Sequence, residues 1–271
     1  SGWTALQRDA GLIVEEPGPE EAYLSRRFAS LLHVDDDYRL AAMNCAADSE
    51  RHESLAGTGS IALQMLAYQI DSQHTQAADH LTFIDRLSIN PQSRSELAQL
   101  SRLLEARGTV NPLPLPGLAD TPLCLHAAYE IREILTAVEW LTPTRRVPFQ
   151  AGVLGLHDRK CELVFITLDK SSGFHERNAY QDYAISADRF HWQTQNSAGP
   201  DTPGGRRYLE SPRNDWRFQL FVRSRRGSPY RACGPITIES VQGDRPMSIV
   251  SRLEKPLPAR FFREYSILRN V

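Results

Sequence analysis

RFHWQTQN, Arg189 to Asn196, alternates between two kinds of side chain with a period of two. Successive Cβ atoms of an extended chain point to opposite faces, so Phe190, Trp192 and Thr194 fall on one side and His191, Gln193 and Gln195 on the other. The stretch is predicted as a β-strand, and two readings of its rings compete. In one, Phe190 and Trp192 fill a sheet core, since aromatic residues favour strands anyway. In the other, rings and carboxamides form a surface that holds a nucleobase. YQDYAIS (Tyr180–Ser186), just upstream, adds two tyrosines and Asp182 to either reading.

The same period runs through CELVFITL (161–168), RFQLFVR (217–223), YRACG (230–234), PITIESV (235–241) and MSIVSRL (247–253), separated by Gly, Pro or Asp turns. SRRGSPY (224–230) reads as a strongly basic hairpin connection. Short strands in this density, led by one helix, predict a curved sheet or small barrel. Upstream the period is helical. EEAYLSRRFASLLH (20–33) aligns Tyr23, Phe28, Leu31 and Leu32, and Ser60–Ile70 sets Leu63, Leu66, Ala67 and Ile70 on one face. Ser93 and Glu96 have capping-box spacing ahead of Leu97, Leu100, Leu103 and Leu104, with Gly108 as the stop. TVNPLPLPGLADTP (109–122) carries Pro112, Pro114, Pro116 and Pro122 and reads as a stiff connector. A helix over 123–141 is predicted next, started by Thr121-Pro122 and turning Ile131, Ile134, Leu135 and Val138 inward. The fold class is therefore α+β, with a helical domain over 1–115 and a β-rich domain over 123–271.

The 271 residues are 41% apolar and 24% charged, the composition of a soluble globular chain. No apolar run reaches the roughly 18–20 residues of a membrane span, and no secretory signal precedes the first helix. A cytoplasmic location without membrane contact is expected. The opening Ser-Gly, without Met, suits an excised piece of a longer protein. Cys45, Cys124, Cys161 and Cys233 are widely spaced, which argues against a zinc site or disulfide framework and for buried free thiols. The net charge of −2 conceals a division. Residues 1–122 hold 9 Lys/Arg against 17 Asp/Glu, whereas residues 123–271 hold 22 against 16. A basic half of this kind points to nucleic acid. Only Lys160, Lys170 and Lys255 are lysines there; the first half has none, so the preference for arginine is itself uninformative.

Motifs of catalysis are missing. The sequence has no phosphate-binding G-x-x-x-x-G-K-[ST], no H-x-K, no G-x-S-x-G and no H-E-x-x-H. LDK (Leu168–Lys170) lacks the acid two residues before the lysine that a metal-dependent nuclease core uses. No cofactor and no catalysis are expected of this chain. Binding chemistry is richer. A protein that examines one base withdraws it from the stack, sandwiches it between rings and reads its Watson–Crick edge. Tyr180, Tyr183, Phe190 and Trp192 could stack, at about 1–3 kcal/mol per base, while Asp182 and Gln193 could accept the cytosine amino group. Gln195, Ser197, Arg206, Arg207, Arg223, Arg225 and Arg226 are the candidates for DNA-backbone contact. The plainer assignments are core packing for Trp192, a turn cap for Asp182, scaffold roles for His175 and His191, and a solvated hairpin face for the arginines.

The motifs LDKS (168–171), DYAIS (182–186) with Tyr180, FHWQTQ (190–195), GRRY (205–208), LFVR (220–223), Gly234-Pro235 and RPMSI (245–249) resemble the C-terminal module of SauUSI-like type IV, modification-dependent restriction enzymes. The likeness covers about residues 123–271 and departs from the family pattern at GVLGLHDRKCELVF (152–165). Residues 20–110, including LLHVDDDYRL, are similar to the helical segment that links motor and module. The resemblance implies an SRA-like (PUA-superfamily) curved β-barrel with flanking helices. It further implies recognition of 5-methylcytosine, or 5-hydroxymethylcytosine, in double-stranded DNA. ATP- and Mg-dependent translocation and cleavage would belong to helicase and phospholipase-D-like nuclease domains of a parent chain. Two alternatives belong to other classes: a metal-dependent nuclease using Asp182, His191 and Glu176, and an adaptor whose acidic helical half docks a motor.

Overall fold

In the computed structural model, which describes residues 2–48, 56–71, 80–108, 113–142, 149, 151–169, 182–211 and 213–266, the helical and the alternating patterns fold as separate units, Ser1–Pro148 and Phe149–Val271.

The first unit contains α1 (Trp3–Asp9), α2 (Glu21–Arg27), α3 (Asp37–Ala47), α4 (Thr58–Ile70), α5 (His80–Ser88), α6 (Pro91–Arg107), a two-residue strand β1 (Ala128–Tyr129) and α7 (Ile131–Ala137). Leu63, Leu66, Ala67 and Ile70 are buried together with Leu24, Phe28, Leu31 and Phe83, as the period of α4 requires. The predicted helix over 20–33 instead tightens to a 3-10 turn at Phe28–Leu31, which leaves Leu32 exposed. The Ser93–Glu96 spacing is not a capping box either. Pro91 occupies the first turn of α6 behind Asn90, so Glu96 lies further inside the helix. Its carboxylate accepts hydrogen bonds from Trp3 N (3.0 Å) and Thr4 N (3.1 Å). It thereby caps α1, whose own N-cap, Gly2, has no side chain to do so.

The described part of the proline-rich connector, residues 113–122, is folded, not extended. Leu115 N donates to Leu123 O and Leu125 N to Leu113 O, both at 2.8 Å, and Leu115, Leu118 and Leu123 are fully buried. Pro116 and Gly117 occupy the centre of the turn closed by Leu118 N to Leu115 O at 3.0 Å. Gly117 has φ 81°, the positive value that the third position of a type II turn demands. The predicted helix over 123–141 begins only at Ile131, where Glu130 and Glu133 form a capping box, and not at the expected Thr121-Pro122 start.

Arg39, 0% exposed, fastens that later segment to α3. Its guanidinium donates to Asp36, to Glu133 (2.8 Å) and to Ala128 O, and it lies 4.1 Å from the Tyr129 ring centroid. Asp36 also accepts from Arg39 N as the N-cap of α3. His33 Nε2 approaches Glu133 Oε2 at 2.6 Å. These bonds place residues 123–148 with the helical unit, so the division falls after Pro148 and not at the proline connector.

The second unit holds β2 (Val153–Leu156), β3 (Cys161–Asp169), β4 (Tyr183–Ser186), β5 (Arg189–Gln193), α8 (Pro203–Leu209), β6 (Arg217–Arg225), β7 (Tyr230–Gln242), β8 (Ser248–Leu253) and α9 (Ala259–Ser266). The strand order is β2-β3-β6-β7-β8-β5-β4. β3 and β6 run parallel, whereas the β2–β3, β4–β5, β5–β8, β6–β7 and β7–β8 ladders are antiparallel. No ladder among the described residues joins β4 to β2, so the mixed sheet is open where a barrel was expected. YRACG and PITIESV, read as two strands, form the single 13-residue β7. The apparent break is a bulge in the pairing with β6 between Leu220 and Phe221, at Gly234 with φ 94°; a bulge bends a strand without ending it. The first half of β7 pairs with β6 and the second with β8.

Removing the Arg39 guanidinium leaves buried Asp36 and Glu133 without their counter-charge. Arg39→Ala is expected to destabilise the helical unit by about 3–5 kcal/mol in denaturant unfolding. Burial acts to raise the Glu133 carboxyl, but Arg39 and His33 outweigh it and lower it from 4.5 to about 2. A carboxyl lowered by folding stabilises fully above its unfolded pKa. That contribution, about 3 kcal/mol, should vanish as pH falls from about 4.5 towards 2. Glu133→Gln should flatten this limb of the stability–pH curve.

Candidate nucleic-acid interface

The pleat of β5 separates its side chains as the alternation predicts. Phe190 and Trp192 are 0% and 1% exposed and Thr194 is buried, whereas His191 and Gln193 are half-buried and Gln195 is exposed. This overturns the assignment of Phe190 and Trp192 to a base. Both belong to the apolar core with Val164, Leu220 and Ile249. The Trp192 ring meets Tyr208 of α8 edge-on, with centroids 5.3 Å apart. Tyr208 leans on Phe218 at 5.5 Å and donates its hydroxyl to the wholly buried Glu162 of β3. Burial and the Glu162 charge together push that hydroxyl's pKa well up, keeping it a donor.

Arg207, predicted to touch DNA, completes this buried cluster instead. Its Nε and Nη2 both donate to Glu162 Oε2, the first at 2.9 Å, and its guanidinium lies 4.5 Å from the Trp216 centroid. A buried carboxylate needs such a counter-charge, and with the Tyr208 hydroxyl on Oε1 both oxygens of Glu162 are satisfied, so this arginine is structural. The chain brings α8 close enough through Gly205, where an added Cβ would lie 1.9 Å from Gly199 O. Thr202 caps the helix by accepting from Gly205 N at 3.0 Å.

Asp182 is 7% exposed, and its Oδ1 accepts from Gln193 N at 2.9 Å. This bond fastens the end of β5 to the residue just ahead of β4, as the capping reading of Asp182 expects. Tyr180, His175 and Glu176 lie outside the described residues. The outward face keeps a different pair. Tyr183 and His191 are partners across β4 and β5, stacked with centroids 5.0 Å apart and planes 25° from parallel. His191 Nε2 is 2.6 Å from Ser248 Oγ on β8. Gln193 follows on the same face, and Ser248 is its partner in register.

The predicted backbone contacts do not gather in one place. Gln195 and Ser197 are exposed in the loop after β5, and Arg206 is exposed on α8. A Cβ on Gly152 would stand 3.3 Å from Gln195 Nε2, so this loop curls towards the start of β2. Arg225 and Arg226 are exposed in the β6–β7 hairpin. Arg223, half-buried, donates from Nε to Thr167 Oγ1 at 2.8 Å and stacks 4.4 Å from the Tyr230 centroid. The hairpin opens into β7 at Tyr230, and Gln242 at the other end of β7 pairs with Ser248, the partner of Gln193. Thirteen residues of strand, about 40 Å if straight, therefore separate the basic hairpin from the Gln193 end. One cluster escaped the sequence reading: Arg189 and Arg252 are register partners, and both donate to Glu239, at 2.9 and 2.6 Å.

Among the described residues, no group of three or more His, Cys, Asp or Glu is placed to hold a metal, and no helix is long and apolar enough to cross a membrane. All four cysteines are buried free thiols; burial pushes Cys161 up to about 11 and Cys124 and Cys233 to about 12. By class this is an α+β chain of a helical unit and an open mixed sheet with a polar, partly aromatic outer face. It belongs to the family defined by DUF3427, a domain of unknown function, whose pattern matches residues 123–265. No curated protein matches the chain.

The two faces of the sheet predict opposite mutational outcomes. Trp192→Ala should cost about 3–5 kcal/mol of unfolding free energy through its cavity. Tyr183→Ala, on the outer face, should cost only about 1 kcal/mol. Chemical denaturation of both variants measures the difference.

Proposed function

We propose that the second unit is the target-recognition part of a modification-dependent restriction system. It binds double-stranded DNA carrying 5-methylcytosine, or 5-hydroxymethylcytosine, and holds the extruded base on its outer face. The observation that carries this reading is the Tyr183–His191 stack beside Gln193. A ring already backed by another ring, and tied through His191 to Ser248, is a prearranged aromatic surface on which a base can stack at little entropic cost. The Gln193 carboxamide can accept from the cytosine amino group. The basic balance of residues 123–271 supplies the attraction for phosphates. In this reading the open sheet and its flanking helices serve as an SRA-like, PUA-superfamily recognition fold. The helical unit couples it to helicase and nuclease domains of a longer chain, where ATP and Mg would act, in the cytoplasm. We assign no catalysis to this chain. Asp182 and His191, two of the three residues of a nuclease alternative, are engaged with Gln193 N and Ser248.

A binding panel with cytosine, 5-methylcytosine, 5-hydroxymethylcytosine and glucosylated duplexes tests the reading. The methylated duplex should bind more tightly than the unmodified one. Tyr183→Ala should erase most of that preference, while Arg206→Ala and Arg225→Ala should weaken every duplex alike and flatten the salt dependence by about one phosphate each. Equal affinity of the unaltered protein for all four duplexes at physiological salt would refute recognition of a modified base.

A further inference from the structure

We infer that a cavity of the helical unit, lined by α4, the start of α5 and the end of α7, binds a small organic cation with Glu139 as its counter-charge. The cation is an ammonium or guanidinium carried on a short hydrocarbon body. The cavity measures about 200 Å³, and Ser60, Ile61, Gln64, His80, Glu139 and Leu141 are in its wall. Among the described residues, no Lys or Arg lines it. Sites for drug-sized ligands measure roughly 300–1,000 Å³, so the occupant here is smaller.

The backbone singles out Glu139. Helix α7 ends in a Schellman turn, in which Glu139 N donates to Thr136 O and Trp140 N to Leu135 O, both at 2.9 Å. Glu139 has φ 57°, in the left-handed region where glycine is the usual occupant because a Cβ is strained there. Its side chain gives the fold nothing that offsets this strain. Among the described residues, the exposed Glu139 carboxylate makes no hydrogen bond or ion pair. A strained residue kept beside a cavity, with its charge uncompensated, points to use by a ligand.

The other polar groups of the wall suit a donor. Gln64 Oε1 accepts from His80 N and faces His80 Nδ1, both at 3.1 Å. An amide oxygen only accepts, so Nδ1 carries the ring proton, and in the neutral imidazole Nε2 is an acceptor. Ser60 Oγ lies 3.5 Å from Nε2, at the outer limit of a hydrogen bond, so an N–H entering the cavity displaces only a weak contact. A carboxylate and two further acceptors favour a cation rich in N–H groups over an anion. Ile61 and Leu141 supply apolar wall for its hydrocarbon part. The same chemistry belongs to a free amine and to the arginine side chain of a partner protein.

Isothermal titration of the full chain with agmatine, n-butylammonium and the blocked tripeptide acetyl-Gly-Arg-Gly-amide tests the site, with 1-butanol as the uncharged control. Agmatine should bind and 1-butanol should not. Glu139→Gln should weaken agmatine by about tenfold or more, and Ser60→Ala by less. Glu139→Gly should lose binding to the same extent, yet leave the thermal unfolding midpoint unchanged or raised, since glycine adopts the positive φ without strain. Tighter binding of agmatine than of the tripeptide would assign the site to a free amine, and the reverse order to a partner's arginine. Absence of binding by every cation, equal binding of 1-butanol, or unchanged agmatine affinity in Glu139→Gly would overturn the inference. So would a lowered unfolding midpoint in Glu139→Gly, which would make the carboxylate structural.

Discussion

Neighbouring side chains of a strand cannot share a face, and in β5 that constraint organises the whole second unit. Once Trp192 turns inward, Tyr208 must meet it, α8 must lie close against the sheet, and Glu162 must find its partners there. The same step of the pleat turns His191 outward to stack on Tyr183. A shift of one residue in register would expose the indole and bury an imidazole and two carboxamides. The apolar core and the polar outer face are therefore one decision, fixed by burial of a large aromatic side chain.

Each unit also contains an ionic cluster around a fully buried charge that joins segments distant in sequence. Arg39 ties α3 to Ala128 and Glu133, and Glu162 ties β3 to Arg207 and Tyr208. Desolvating such charges costs several kcal/mol per ion, so a pair of this kind adds little over a well-packed apolar substitute. Its value is selective, because any other arrangement of the segments would leave a charge in the interior without its partner. The family pattern begins at residue 123, ahead of Ala128 and Glu133, whose polar partners lie on α3. The matched segment thus includes groups that the helical unit completes.

Much of the fold was legible because it depends on local period. The α4 face, the strands β3, β6 and β8, and the basic β6–β7 hairpin follow from spacing alone. The misreadings share a cause: punctuation residues were taken as ends when tertiary partners had other uses for them. Prolines 114, 116 and 122 belong to a hairpin sealed by Leu115 and Leu123, Gly234 bends β7 without ending it, and Glu96 caps a different helix. For the site, alternation correctly divided β5 into two faces but could not say which one faced inward. Composition alone favoured core packing for Trp192 while base-recognition chemistry offered it as a stacking ring, and the packing of Tyr208 against it decides for the core. The Arg189–Arg252–Glu239 cluster was illegible because it is created by strand pairing across 50 or more residues.

The charge count of the basic half has to be read through these contacts. Arg207 is neutralised by a buried carboxylate, Arg189 and Arg252 share Glu239, and Arg245 meets Asp201. Guanidiniums held in this way displace few counterions from a duplex, because their charge is already compensated inside the protein. Exposed arginines stand instead on α8, on the β6–β7 hairpin and on α9, where Arg206, Arg225, Arg226, Arg260 and Arg263 reach solvent. Under the proposed DNA-binding function, salt would act on these exposed arginines and base identity on the Tyr183–His191 stack.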